Sequence, residues 1–215
     1  MRVFFSSTID ASHPLAIATK PLGIELHAAS LLSFEAVPVH PKHPYEIIFF
    51  SSPRAYTYGK PFITTNTRVA CFASGTGKHI IEAIDWVGKT PGNPGRTAQA
   101  FLEWAGNQRV LFPVSDRSLG TIPAAFPLEQ VECLTVYKTI LSPQSIARCD
   151  VYVFTSPSNV EAFFSKNILP KHAKLIAWGE STRAYLESLN HSIAYHRSDE
   201  AHIDWIALLT PWLNP

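Results

Sequence analysis

One passage of this chain is written twice, and that doubling limits what it can fold into. Glu46–Arg54 (EIIFFSSPR) and Asp150–Ser158 (DVYVFTSPS) each run from an acidic residue through an apolar stretch into a Ser/Thr-Ser-Pro turn. A second pair follows: Arg68–Thr76 (RVACFASGT), ending 24 residues after Ser52, and Lys174–Thr182 (KLIAWGEST), ending 26 residues after Ser156. A third, Thr97–Trp104 and Ala201–Leu208, keeps nearly the same offset. Segments that repeat in order predict two similar domains, with small hydroxylated turns facing one another across a cleft. A chain of 215 residues has room for one large domain or two small ones, and the repeat selects two.

Short apolar runs ending in Ser, Thr, Gly or Pro recur throughout. Val3–Ser6, Glu46–Phe50, Arg68–Phe72, Val110–Phe112, Val151–Phe154 and Lys174–Trp178 lack strict polar alternation and read as parallel strands covered on both faces. Helix-compatible stretches separate them: Lys78–Val87, Thr97–Ala105, Ser158–Lys166, Ser181–Leu189 and Ala201–Leu209. Alternating βα units predict an α/β fold of two small parallel-sheet domains, flavodoxin-like or Rossmann-like. Leu31–Val39 and Val131–Ile140 break the rhythm, because both alternate and neither leads into a clear helix. They are expected to form a two-stranded β hinge. Residues 1–34 and 142–215 would then make a discontinuous first domain, with 35–141 inserted as the second.

Composition narrows the function classes. Hydrophobic residues at 46% and charged residues at 16% suit buried cores, and a net charge of +1 gives no nucleic-acid or membrane surface. Cys71, Cys133 and Cys149 form neither a CxxC pair nor an even framework, as in a reduced cytosolic protein. MRVFFSST lacks the ~7–15-residue apolar core of a signal peptide, and no run approaches the ~18 apolar residues of a membrane helix. A cytoplasmic monomer with no nucleic-acid or membrane partner is expected.

In open parallel sheets, ligands meet the carboxyl ends of strands, where backbone N–H groups point outward. Ser51-Ser52-Pro53 and Thr155-Ser156-Pro157 stand at such ends. One such turn is explained by helix capping, with Ser as cap and Pro as first helical residue. Two copies, each paired with a second hydroxylated turn (Ser74–Gly77 or Ser181-Thr182), suit an anionic ligand. Gly75-Thr76-Gly77-Lys78 fails as a phosphate loop, since Phe72 stands where Gly is needed and His79 where Ser or Thr is needed. GxGxxG fails at Ile80. His40, His43, His191 and His196 have no Cys or carboxylate at ligand spacing and read as loop histidines, so neither metal nor cofactor is expected. Tyr137 and Lys138 fall on the return strand of the expected hinge, where a tyrosine either packs or donates a proton into the cleft.

Taken together, several segments resemble the uroporphyrinogen-III synthase family. They are Leu32-Ser33-Phe34-Glu35, IIFFSSPRA at 47–55, Leu111-Phe112-Pro113, LTVYKT at 134–139, VFTSPSNVEAFF at 153–164 and IAWGESTRAYLESLN at 176–190. The resemblance implies two α/β domains on a two-stranded ladder. It also implies a cofactor-free lyase that closes hydroxymethylbilane to uroporphyrinogen III, inverting the last pyrrole ring and losing water. It assigns the family's hinge tyrosine to Tyr137. Substrate binding is assigned to the turn residues Ser52, Pro53 and Arg54, Thr76, Gly77 and Lys78, Ser156, Pro157 and Ser158, and Ser181 and Thr182. Three departures stand out: Ser6-Ser7-Thr8 where many members carry Arg, Gly59-Lys60-Pro61 cutting short the helix after Pro53, and Ala73-Ser74-Gly75 at a glycine-rich turn. A different class of protein, a non-catalytic two-domain binder of a small anion, shares the twin turns but gives no reason for Tyr137.

Overall fold

The computed structural model describes residues 1–90, 93–196 and 203–213. The chain begins with β1 (Arg2–Phe5), α1 (Pro14–Thr19), β2 (Glu25–Ala28) and β3 (Leu32–Ala36). It continues through β4 (Ile47–Phe50), α2 (Pro53–Gly59), β5 (Arg68–Cys71), α3 (Ser74–Gly77), β6 (Trp86–Val87), α4 (Pro94–Ala105) and β7 (Val110–Ser115). The long β8 (Val131–Leu141) is followed by β9 (Val151–Phe154), α5 (Pro157–Phe164), β10 (Lys174–Ala177), α6 (Glu180–Ser188), β11 (Tyr195–His196) and α7 (Trp205–Leu209).

Two compact units result, Met1–Ser33 with Ile140–Pro215, and Phe34–Thr139. The crossing points fall inside β3 and β8; the boundaries expected from sequence lie within β3 and at the end of β8. The first unit carries a sheet in the order β11-β10-β9-β1-β2, with every pairing parallel. The other sheet runs β3-β8-β7-β4-β5-β6. Its β7–β8, β4–β7, β4–β5 and β5–β6 pairs are parallel. Hydrogen bonds from Ser142 N to Leu31 O and from Val37 N to Val136 O set β3 antiparallel to β8.

Successive strand residues point to opposite faces, so each sheet separates two cores. In the first unit Val3, Phe5, Val151 and Val153 pack on α1 and α7, through Leu15, Trp205 and Leu209. Phe4, Tyr152 and Phe154 pack the other way, on Val160 and Phe163 of α5 and Leu186 of α6. The second unit repeats the plan: Ile48 and Phe50 meet Ala55 and Tyr56 of α2, while Ile47, Phe49 and Phe112 meet Ala98 and Phe101 of α4. Burial on both faces is why these strands are continuous apolar runs. Each fully buried Phe contributes about 1.5–3 kcal/mol of transfer free energy.

The expected helix Lys78–Val87 is absent. The helix after β5 is a single turn, α3, and the chain then forms β6, with Trp86 and Val87 paired to Ala70 and Cys71. Only residues 78–85 separate α3 from β6, and Ile81, which the helical reading would bury, is exposed. Asp85 anchors the entry to β6, its carboxylate accepting from Val69 N at 2.7 Å and its own N–H donating to Val69 O at 2.8 Å. Elements α1, β2, β6 and β11 had no counterpart in the sequence reading. The expected helix Ala201–Leu209 is seen as α7; residues 201 and 202 lie outside the described residues, as does the His196 side chain.

Candidate functional site

In the second unit, β4 ends at Phe50 and the chain turns at Ser52, whose extended backbone (φ −157°, ψ 161°) caps α2. Its hydroxyl accepts from Ala55 N at 3.1 Å, and Pro53 opens the helix. A seven-residue α2 agrees with the interruption at Gly59-Lys60-Pro61. Gly59 is required for its packing: a Cβ there would lie 2.6 Å from Cβ and Cγ of Pro113 on β7. The first turns of α2 bound an open depression of about 310 Å³ lined by Ser52, Pro53, Arg54, Thr57 and Tyr58.

Arg54 is exposed, but its guanidinium carbon lies 3.5 Å from the Phe34 ring centroid. That loss of water on one side lowers its pKa below the usual arginine value, while the nearby Tyr137 and Tyr58 phenols act in the opposite sense. Among the described residues it has no carboxylate partner.

Tyr137 is brought to this region by an irregularity in β8. Val114 pairs with Thr135 but Ser115 pairs with Tyr137, so Val136 is an extra residue. The bulge breaks strict alternation: Val136 and Tyr137, neighbours in sequence, are both buried in the same core cluster. The Tyr137 ring stacks on Tyr58 (centroids 5.1 Å apart, planes at 22°) and meets Phe34 edge-on at 6.0 Å. It is only 7% exposed. The other expected residues of this unit sit on α3. Its cap, Ala73, offers no side-chain acceptor, Thr76 is buried, and Lys78 is exposed at the C-terminal end of the turn.

The first unit repeats these turns with different chemistry around them. Ser156 (φ −160°, ψ 156°) caps α5, accepting from Asn159 N at 3.3 Å and Asn159 Nδ2 at 3.0 Å. Asn159 Oδ1 in turn accepts from Leu31 N at 3.0 Å. Buried Ser6 accepts from Thr155 N at 2.8 Å, and Ser6 O accepts from the Thr155 hydroxyl at 3.1 Å. Pro157 opens α5 and Ser158 follows it, half-buried. Gly179 caps α6 without a side-chain acceptor, leaving Ser181 exposed and Thr182 buried. Thr76 and Thr182 therefore turn their side chains inward, and the outer surface of both turns is left to backbone and to Ser74, Gly75, Glu180 and Ser181. Sequence reasoning missed Tyr58; its spacing of four from Arg54, which puts both on one helix face, was the available signal.

Among the described residues no group of His, Cys, Asp or Glu is gathered to hold a metal, and no helix is long and apolar enough to cross a membrane. The sequence profile of the family described as Uroporphyrinogen-III synthase HemD matches residues 15–204. The chain belongs to the uroporphyrinogen-III synthase family. Its reaction is the family's, the lyase-type closure of hydroxymethylbilane to uroporphyrinogen III in tetrapyrrole biosynthesis. Among solved structures, the uroporphyrinogen-III synthetase of Helicobacter pylori is similar over 100% of both chains at 14% identity, with a TM-score of 0.70. A mutant uroporphyrinogen III synthase of Thermus thermophilus is similar over 99% of this chain and 97% of its own, at 16% identity and a TM-score of 0.57. At such identities these two likenesses bear on the fold alone. No curated protein matches by sequence.

Proposed function

We propose that the chain carries out the synthase reaction with Tyr137 as its hydrogen-bond donor and with the turns of the two units, here taken as its two domains, as its carboxylate-binding elements. The hydroxymethyl oxygen takes up a proton and leaves as water when its C–O bond breaks, pushed by the pyrrole nitrogen. The freed carbon bonds to the substituted α-carbon of the last ring; the older methylene bond at that carbon then breaks and re-forms at the ring's free α-carbon, which inverts the ring and closes the macrocycle. The proton lost from that second carbon balances the one that left with water. A phenol, with a pKa near ~10, remains a donor at neutral pH and suits that oxygen. The observation that supports Tyr137 best is the β8 bulge, since an extra residue that re-aims one side chain is a recurring device beside active sites.

Substrate carboxylates are received at Ser52–Arg54 and Thr76–Lys78 on one unit, and at Ser156–Ser158 and Ser181–Thr182 on the other. Ser52 and Ser156 use their oxygens to cap helices and still carry a hydroxyl proton to donate. Conformational restraint does most of the catalysis. Holding a flexible chain in one reactive conformer is worth on the order of 7–11 kcal/mol in good intramolecular cases.

In this reading no metal or cofactor takes part, and the chain works as a monomer in the cytoplasm. The test is to supply freshly made hydroxymethylbilane, before and after dialysis against a chelator, and to resolve the product isomers. Type III product in both samples is expected. Type I alone, as in uncatalysed closure, would contradict the assignment, and recovery only on adding metal would contradict the cofactor-free mechanism.

A further inference from the structure

Tyr58 belongs to two features at once. It lines the depression on α2, and its ring is stacked on Tyr137, which is not among the depression's lining residues. Its hydroxyl donates to the Phe34 carbonyl at 3.3 Å, so α2 is tied to β3 at the point where the Phe34 ring meets Tyr137 edge-on. Tyr137 is thus held on one side by a parallel ring and on another by a ring edge. The fold itself does not demand an aromatic at this place: aligning the two repeated passages puts Ala162 opposite Tyr58, and Ala162 is fully buried in its own core. The aromatic at 58 is a feature of the unit that carries Tyr137.

We propose that Tyr58 is a positioning residue for Tyr137, its ring face fixing the direction in which the Tyr137 hydroxyl points. The proposal rests on the reading of Tyr137 as donor to the departing oxygen. In its simplest form the ring does the work and the Tyr58 hydroxyl is secondary. Replacing the ring with an aliphatic side chain should slow the chemical step without weakening substrate binding.

The test is a double-mutant cycle with hydroxymethylbilane as substrate: Y58F and Y58L, each alone and combined with Y137F. Y58F should stay within about threefold of wild type, because it keeps the stack. Y58L should lower kcat about tenfold while moving KM less than about threefold, the pattern of an interaction used in the transition state. In the Y137F background Y58L should cost less than about twofold, because the residue it positions no longer has its hydroxyl. Carbon-13 tyrosine labelling adds a readout independent of turnover. The Tyr137 ring signals, assigned by their absence in Y137F, should move in Y58L and hold in Y58F. If near-UV circular dichroism finds Y58L unfolded, Y58M takes its place with the same expectations. Full kcat in Y58L beside a slow Y137F would overturn this proposal alone, as would an equal loss in both backgrounds. Wild-type turnover by Y137F would overturn the reading of Tyr137 and this proposal with it.

Discussion

Set side by side, the two units have one spatial plan and two chain orders. Their sheets read β11-β10-β9-β1-β2 and β6-β5-β4-β7-β8, the second extended by β3 beside β8, and the repeated passages make β9 and β10 the equivalents of β4 and β5. With that alignment β1 matches β7 and β2 matches β8. The first unit begins with the two strands that the second unit forms last. It is a circular permutation of the second, cut where α4 leads into β7. What the order of assembly leaves unchanged is the local β-turn-α piece: Ser156 and Ser52 cap with nearly the same backbone angles, as do Gly179 and Ala73. What differs is the filling around those caps. The first unit has a polar knot of Ser6, Thr155 and Asn159, whereas the equivalents Pro113, Ser51 and Ala55 include an apolar contact between Pro113 and Gly59. The second unit places Arg54 and Tyr58 where the first has Ser158 and Ala162, and it carries Tyr137 on its bulged strand. On the proposed reading, the donor Tyr137 and its neighbours belong to the unit whose strand end at Pro113 is packed against Gly59, while turns of both units receive carboxylates.

The strongest challenge to that contrast is Asn159→Ala. It would strand the buried Leu31 N–H and remove a partner of Ser156 and Thr155, at a cost of about 2–3 kcal/mol. Urea unfolding followed by amide exchange should confine the loss to the first unit; equal loss in both would break the contrast. Next comes Arg54→Gln, which removes the cation from the depression. A charge-assisted bond at an exposed site should be worth about 1.4 kcal/mol, raising KM about tenfold with kcat little changed, while Ser158→Ala should move KM less than about twofold. Equal effects would remove the functional asymmetry. The smallest difference lies in the caps. Ser52→Ala and Ser156→Ala should each cost about 1 kcal/mol in thermal or urea stability, with Ser156 the larger because it accepts a second bond. The reverse order would mean that the Asn159 side chain contributes nothing at that cap.

Much of this was legible in the chain. Val151–Phe154 and Glu46–Phe50 announced themselves because a strand covered on both faces must be apolar throughout, and Ser-Pro marked where each ended. Residues 78–87 misled because Ile80, Ile84 and Val87 keep a helical spacing by chance, while strand pairing with β5 claimed Trp86 and Val87. The pattern could not reveal that competition, since it depends on how close β5 lies. The short elements α1 and β2 carry too few residues for a periodic signal. At the site, the turns and Tyr137 could be named from their motifs, but not their surroundings. The register shift opposite Ser115 and the ring stack on Tyr58 arise only when strands and helix pack together. The inward-facing Thr76 and Thr182 likewise reflect their place in the first helical turn, not their residue type.

The most direct measurement is steady-state kinetics of Tyr137→Phe with hydroxymethylbilane, alongside its urea stability and product isomer. The substitution keeps the ring, its stack on Tyr58 and its burial, and deletes only the hydroxyl. General acid assistance spans about 10²–10⁴-fold, and a weakly acidic phenol beside a labile leaving group should fall at or below about 100-fold, seen in kcat with KM nearly unchanged. The residual product should still be type III, because shape selects the isomer. A stable Tyr137→Phe protein that turns over at the wild-type rate would contradict the donor role and leave Tyr137 as a packing residue on a bulged strand.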